Sequence, residues 1–185
     1  DKHVVPSRLE NSKLLIENLV DNFTHDRIGL VVFAGDAFVQ LPITTDYVSA
    51  KMFLQNIDPA LIATLGTDIA KAINLSMRSF SQQKDIGKAI IVITDGEDHE
   101  GGALEAAKAA NERGIHVFIL GIGSTKGSPI PTSEGGYLTD RSGQTVLTAL
   151  NESMCKQIAQ AGNGTYIHVD NTNDAQEKLN NELAK

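Results

Sequence analysis

The segment that most constrains the fold is the apolar run Ala89–Ile93, which is followed by Thr94, Asp95 and Gly96. A continuous run of mostly β-branched residues predicts a strand buried on both faces, as in parallel sheets. Ligands of open α/β sheets bind beyond the carboxyl ends of such strands. Asp95 stands at such an end and offers a carboxylate to a hard cation or a substrate. Alternatively, Asp95 and Asp98 only turn the chain and cap the next helix, and both interpretations stay open at this point.

Length and charge limit the kinds of protein to which the chain can belong. The chain has 185 residues, which suits one domain with a full core. It carries 16 Lys and Arg against 23 Asp and Glu, a formal charge of −7, and this argues against a nucleic-acid-binding surface. No apolar run reaches the roughly 18 residues of a membrane helix. Because the chain begins at Asp1 without Met, we expect it to be a processed or excised part of a longer protein.

Strand patterns alternate with amphipathic helical patterns along the chain. Strands Ile28–Phe33 and Ala37–Leu41 are so close that they must pair antiparallel, and Pro42 is expected to end the second. Further strands are predicted at Lys88–Thr94, Ile115–Gly121 and Thr165–Val169, and helices at Leu9–Asn22, Thr45 or Asp46 to Leu54, Asp68–Ser79, Ala103–Arg113, Asn151–Ala161 and Asp174–Leu183. We therefore expect an α/β fold: a doubly wound, mostly parallel sheet with helices on both faces and one antiparallel edge strand.

The region between the predicted strands Ile115–Gly121 and Thr165–Val169 is expected to contain a loop, a small hairpin and a helix. Residues 124–136 are rich in Ser, Pro and Gly and are expected to form a loop. Tyr137–Leu147 predicts a small β-hairpin outside the main sheet, with Asp140–Gly143 as its turn. Cys155 is the only cysteine and lies in an amphipathic helical pattern, so it is expected to be buried and unreactive.

A second candidate ligand lies in Gly66-Thr67-Asp68, at the start of a predicted helix. A hydroxyl at a helix start normally caps the free N–H groups. A Thr hydroxyl is also a hard oxygen donor, and with Asp95 it would supply two of the about six oxygens that Mg²⁺ requires. These two residues alone do not show whether Thr67 caps the helix or binds a metal ion.

Together these segments resemble a von Willebrand factor A (vWA) domain over essentially the whole chain. The resemblance is carried by the strings Asp26–Gly35, Gln40–Thr44, Gly66–Ile73 and Ala89–Gly96. Within that superfamily the chain is most similar to the bacterial aerotolerance (Bat) proteins, through Val5–Glu10, Phe38–Pro42, Gly96–Gly101 and Gly135–Arg141. The resemblance implies one vWA domain over residues 1–185 that lacks the family's first strand and its D-x-S-x-S motif.

The resemblance also implies a metal-ion-dependent adhesion site (MIDAS) for a divalent cation, usually Mg²⁺. The family builds this site from D-x-S-x-S after the first strand, then a Thr, then an Asp. Thr67 matches the Thr and Asp95 matches the Asp, so these two residues are the implied metal ligands. Asp1 is followed by Lys2-His3-Val4, so D-x-S-x-S is absent from the sequence. The implied site is incomplete and would hold Mg²⁺, Mn²⁺ or Ca²⁺, or no ion at all.

By resemblance, the chain is an interaction module and not an enzyme. Its partners would be other proteins, through an acidic residue that completes the metal site, and it would form homo- or hetero-oligomers with similar vWA proteins. The parent protein would be anchored in a bacterial inner membrane with this domain facing the periplasm, and no nucleic acid would be bound. Two alternatives remain: a Mg²⁺-dependent hydrolase or phosphotransferase, and a structural vWA domain with an inactive metal site.

The missing first strand has an energetic consequence. By resemblance it lies between the strands Ile28–Phe33 and Lys88–Thr94, which would otherwise flank an open slot. Each buried, unpaired backbone group would cost roughly 1–3 kcal/mol, and several of them would exceed a domain stability of about 5–15 kcal/mol. We expect a strand that precedes Asp1 in the same chain to close the slot. A strand from a second copy is the next choice, and direct pairing of the two flanking strands is the third.

Overall fold

The computed structural model describes residues 8–21, 27–34, 37–57, 68–80, 87–94, 101–122, 128–129, 135–137, 139–145, 147–148, 150–169 and 172–183. The helices in these ranges are α1 (Arg8–Asp21), α2 (Tyr47–Gln55), α3 (Ile69–Arg78), α4 (Ala103–Glu112), α5 (Glu152–Ala161) and α6 (Thr172–Leu183). The strands are β1 (Ile28–Ala34), β2 (Ala37–Thr44), β3 (Lys88–Thr94), β4 (Ile115–Gly121), β5 (Ser128–Pro129), β6 (Leu147–Thr148) and β7 (Tyr166–His168).

The centre of the fold is a parallel sheet in the order β3-β4-β7. β3 and β4 pair over their whole length, from Lys88 opposite Ile115 to Thr94 opposite Gly121. β7 pairs in parallel with the second half of β4. This sheet, with helices on both faces, confirms the predicted α/β class.

Two helical layers cover the sheet. α3, α4 and α5 form one hydrophobic core with Ile90 and Val92 of β3 and with alternate residues of β4. α1 and α6 form a second core on the opposite face, against which Ala89, Ile91 and Ile93 pack. Successive side chains of a strand point to opposite faces, so the apolar run of β3 supplies both cores. Cys155 of α5 is fully buried in the first core, as predicted.

The predicted hairpin forms, but its second strand is longer than expected. β1 and β2 pair antiparallel, from Ala34 opposite Ala37 back to Ile28 opposite Thr44. The prediction that Pro42 ends the strand was wrong, because β2 continues to Thr44. Proline lacks the N–H donor and has a fixed φ, and an edge strand tolerates both, here beside the register shift between the pairs Leu30–Leu41 and Ile28–Thr44. Among the described residues, β2 pairs only with β1, which leaves it at the edge.

A cavity of about 1230 Å³ separates the hairpin from the parallel sheet. It is lined by Ile28–Phe33 on one side and by the whole of β3 on the other. Within the described ranges the two strands belong to different sheets. Direct pairing of β1 with β3, the third way of closing the slot, is therefore not adopted there.

The segment before α5 is only partly as expected. Thr139 and Thr145 form an antiparallel bridge outside the main sheet, and the amide of Gly143 donates to the carbonyl of Asp140 at 3.0 Å. The prediction of a plain loop at 124–136 was wrong, because Ser128–Pro129 pairs with Leu147–Thr148. A two-residue pairing carries too short a pattern to be recognised from sequence.

The close approach of the α5–β7 connection to β4 predicts that Gly164 cannot be replaced. A Cβ at Gly164 would overlap the backbone carbonyl of Val117, and backbone in a central strand cannot move aside. We expect Gly164→Ala to lower the free energy of unfolding by about 2–3 kcal/mol, measured by urea denaturation. Gly87→Ala is the control, since nothing lies within 4 Å of a Cβ there. Equal stability of the two variants would contradict this packing.

The Asp140 turn predicts an acid-sensitive local structure. The Ser142 hydroxyl and the backbone N–H groups of Gln144 and Ser142 hold the pKa of Asp140 below its usual value of 3.8. A lowered folded pKa stabilises the turn above the usual value, and this stabilisation is lost as pH falls through the lowered one. We expect the Gln144 amide resonance to shift only as the pH falls below 3.8, the usual pKa of an Asp carboxyl. Asp140→Asn should abolish the shift, and a shift that persists in Asp140→Asn would contradict this origin.

Candidate functional site

The start of α3 and the start of α4 lie side by side. A Cβ at Gly102, the residue before α4, would be 3.5 Å from the Cβ of Ala70 in the first turn of α3. α4 follows β3 and packs on the sheet between two parallel strands, so it must run back from the carboxyl end of β3. The amino ends of both helices therefore lie at the carboxyl edge of the sheet, where their partial positive charges favour anionic groups.

The ends of the three parallel strands are tied together at this edge. The amide of Ile122 donates to the carbonyl of Thr94 at 2.9 Å, and the amide of Val169 donates to the carbonyl of Gly121 at 2.9 Å. Thr94 is 7% exposed and is the buried polar residue of the described core. β3 therefore ends at a residue that is buried and hydrogen-bonded to the neighbouring strand end.

Helix capping at this edge differs from the sequence interpretation. Asp68 is the N-cap of α3, and its carboxylate accepts from the amide of Lys71 at 2.9 Å. The capping role considered for Thr67 thus belongs to Asp68. An Asp immediately before the apolar-periodic residue Ile69 is itself a cap signal, so this assignment was available from the sequence.

The capping role considered for Asp95 and Asp98 is also wrong. The N-cap of α4 is Gly102, at φ +82°. This position lies four residues beyond Asp98, so neither carboxylate stands at the cap. A left-handed residue immediately before a helix suits glycine, which has no Cβ to clash.

Both predicted metal ligands, Thr67 and Asp95, lie outside the described residues. Their chain neighbours Asp68 and Thr94 are described, and they begin α3 and end β3 at the edge defined above. The described ranges contain no cluster of three or more His, Cys, Asp or Glu side chains able to hold a metal ion. The two-residue ligand set therefore stays a prediction.

The chain belongs to the von Willebrand factor type A domain family, whose model matches residues 2–182. The chain is similar in structure to BatB from Bacteroides thetaiotaomicron, with 57% identity, a TM-score of 0.89 and coverage of 97% of this chain and 88% of that one. It is equally similar to an aerotolerance-related membrane protein from Bacteroides fragilis, with 54% identity, a TM-score of 0.89 and coverage of 98% and 90%. The structural neighbours are thus Bat aerotolerance-related proteins, as predicted.

A more distant neighbour shares the fold alone. Proximal thread matrix protein 1 of the mussel byssus, described with a zinc-occupied MIDAS motif, is 17% identical, with a TM-score of 0.65 over 95% of this chain and 42% of that one. The chain spans between 26% and 50% of the length of the curated relatives that it matches.

The capping of α3 predicts a measurable contribution from Asp68. Asp68→Ala removes the side-chain acceptor of the Lys71 amide, so it should cost about 1 kcal/mol of unfolding free energy. Asp68→Asn keeps an acceptor oxygen and should cost only a few tenths. Urea denaturation of the three proteins is the measurement, and equal losses in both variants would mean that the charge, not the cap, matters.

Proposed function

We propose that residues 1–185 form one vWA domain that acts as a metal-dependent protein-interaction module. The proposal is supported above all by the edge of the sheet at which β3 ends and α3 begins. Thr67 precedes the α3 cap by one residue and Asp95 follows the end of β3 by one residue. The whole-chain similarity to the family, together with this shared edge, favours a common role for the two oxygen donors.

The chemistry of the two donors suits a hard divalent cation. A hydroxyl and a carboxylate are oxygen ligands of the kind that Mg²⁺, Mn²⁺ and Ca²⁺ take. Capping does not require Thr67 or Asp95, because Asp68 and Gly102 occupy the cap positions of α3 and α4. Two donors leave most of the about six coordination positions of Mg²⁺ to water and to other groups. When bound, the ion would supply a positive centre for a carboxylate.

The partner implied by this arrangement is a protein that presents an acidic side chain. The chain itself is acidic, with a formal charge of −7, so general attraction would not draw an acidic partner to it. A local cation would overcome this repulsion at one point and make the contact directional. Similar vWA proteins, as second copies or as different chains, are the partners that we favour.

The parent protein that we propose is a membrane-anchored bacterial Bat-like protein, with this domain on the periplasmic side of the inner membrane. The B. fragilis neighbour is described as a membrane protein, and this supports the anchor. Within the described ranges no helix combines the length and the apolar character needed to span a bilayer.

The end of β4 favours an interaction role over hydrolysis. β4 ends at Gly121 and is followed by Ile122, which supply no acid, base or nucleophile. A metal-dependent hydrolase generally needs such a group beside its ion. A phosphatase assay with added Mg²⁺ should therefore give no turnover above background, and turnover abolished by Asp95→Ala would favour the enzyme.

Direct metal titration tests the proposed ligands. We expect calorimetry with Mn²⁺ or Mg²⁺ to give weak binding by residues 1–185, with a Kd of about 1 mM or weaker, because few protein oxygens are available. Asp95→Ala and Thr67→Ala should each abolish the heat of binding. Asp98→Ala is the matched control, since it removes a carboxylate only three residues further along the chain and should leave the binding unchanged. Tight binding that survives Asp95→Ala would mean that the site lies elsewhere.

A further inference from the structure

The residue that follows the end of α5 has an unusual backbone conformation. Asn163 has a φ of +54° and is, within the described ranges, the one residue other than glycine with a positive φ. It is exposed to solvent. Asn is among the few L residues that tolerate the left-handed region, which accounts for the residue type. The next residue is Gly164, and together they form the single Asn-Gly pair of the sequence.

An Asn-Gly pair can react with itself without an enzyme. The backbone nitrogen of the Gly attacks Cγ of the Asn carboxamide and forms a C–N bond. The Cγ–Nδ2 bond breaks, and the amide group leaves as ammonia with the proton of the attacking nitrogen. Water then opens the five-membered imide at either carbonyl and gives Asp or isoaspartate, whose main chain runs through Cβ and Cγ. Glycine favours the reaction because no side chain crowds the attacking nitrogen.

Hydrogen bonds close the backbone around this pair. The amide of Gly164 donates to the carbonyl of Ala159 at 2.9 Å. The amide of Asn163 donates to the carbonyl of Gln160 at 3.1 Å, and Nδ1 of His116 lies 3.0 Å from the carbonyl oxygen of Asn163. The two backbone bonds form the Schellman arrangement that ends a helix at a left-handed residue. The attacking nitrogen is therefore engaged in a hydrogen bond that the reaction must break.

The left-handed backbone also directs the attacking nitrogen away from its target. In this region ψ is about +47°. The nitrogen of Gly164 then lies almost opposite Cβ of Asn163 across the Cα–C bond, whereas ring closure requires the two atoms to be nearly eclipsed. Deamidation therefore requires rotation about that bond, and this rotation opens the turn.

The fold has no room for the isoaspartate product. The residues on both sides of Asn163 pack tightly on β4, because a Cβ at Gly162 or at Gly164 would overlap Val117. The carbonyl of Gly162 also accepts from the amide of Val117 at 3.1 Å. Isoaspartate inserts one additional main-chain carbon between these two closely packed glycines. The turn should therefore be unable to re-form, and β7, which begins two residues after Gly164, should lose its pairing with β4.

We propose that Asn163 is a site of spontaneous deamidation that the folded turn suppresses, and that it reacts whenever the turn after α5 opens. The rate in the folded protein is then the rate in the open chain multiplied by the population of the open turn. Isoaspartate formation converts this reversible opening into a permanent separation of β7 from β4. The proposal is independent of metal binding and of any partner, because it rests on the turn alone.

Peptide mass spectrometry of the intact, full-length protein measures the reaction directly. The protein would be kept folded or unfolded in urea, at one pH and temperature, and the conversion of Asn163 followed with time. We expect the folded protein to deamidate at least about a hundredfold more slowly, as expected where a stable structure must open first. Asn163→Gly keeps a residue suited to the left-handed position and should show no conversion in this peptide.

Hydrogen exchange links the reaction to the opening of this turn. Gly162→Ala strains the turn against Val117, whereas Gly87→Ala is a matched control with nothing within 4 Å of its Cβ. Gly162→Ala should raise the rates of deamidation and of Gly164 amide exchange by the same factor, at least about tenfold. Gly87→Ala should change neither rate. If Gly162→Ala does not fold, urea below the unfolding transition should raise both rates of the unsubstituted protein together.

The two products separate the effect of the new charge from that of the longer main chain. Asn163→Asp introduces the carboxylate on a normal main chain. It should leave unchanged the exchange of the Val169 amide, which bonds to the carbonyl of Gly121 at the end of β4. In the isoaspartate form, purified from aged protein, this amide should exchange at least about tenfold faster.

Three results would overturn the proposal. The first is the same rate of deamidation in the folded and unfolded protein, or no conversion of Asn163 in either. The second is a deamidation rate that does not follow the exchange of the Gly164 amide. The third is an isoaspartate form in which the Val169 amide is as protected as it is in Asn163→Asp.

Discussion

The pairing of β3 with β4 is the interaction on which the rest of the structure depends. Seven consecutive residues of each strand are in register, and the paired strands are covered by helices on both faces. Backbone polar groups buried in this way must be paired, and a slip of one residue would move the side chains of one strand from each core into the other. The starts of α3 and α4, and with them the candidate site, are positioned by packing against this pair.

Much of the fold was predictable because its signals are local. The apolar run of β3 identified a doubly buried strand, and the short connection after β1 required a hairpin. Pro42 misled the prediction because strand continuity depends on which edge of β2 faces outward, and this is a property of the assembled sheet. The pairing of Ser128–Pro129 with Leu147–Thr148 joins residues almost twenty positions apart, and no local pattern signals it.

The sheet edge at which the candidate site is proposed was predictable, and the roles of the residues beside it were less so. An acidic residue following a buried strand pointed to the carboxyl edge, and the adjacent starts of α3 and α4 agree with that location. Sequence reasoning considered the cap of α3 only for the hydroxyl of Thr67, as the alternative to a metal ligand, and passed over the carboxylate of Asp68. Asp68 immediately precedes the first apolar-periodic residue of α3, so its position was a cap signal that the sequence already contained. Thr67 and Asp95 stay the proposed ligands on the basis of chemistry and family resemblance.

The strand pairs of this fold differ in the sequence separation of their residues, and therefore in how fast they can form during folding. β1 meets β2 through contacts only a few residues apart in sequence, whereas Leu120 of β4 meets Ile167 of β7 across a long intervening segment. Local pairings close quickly, while non-local ones must first overcome the entropy of a large loop. On a ribosome, the hairpin can therefore form before β7 has been synthesised, and the free backbone edge of β4 awaits β7, its last neighbour. This interval, rather than the finished fold, is when the chain is most exposed to aggregation.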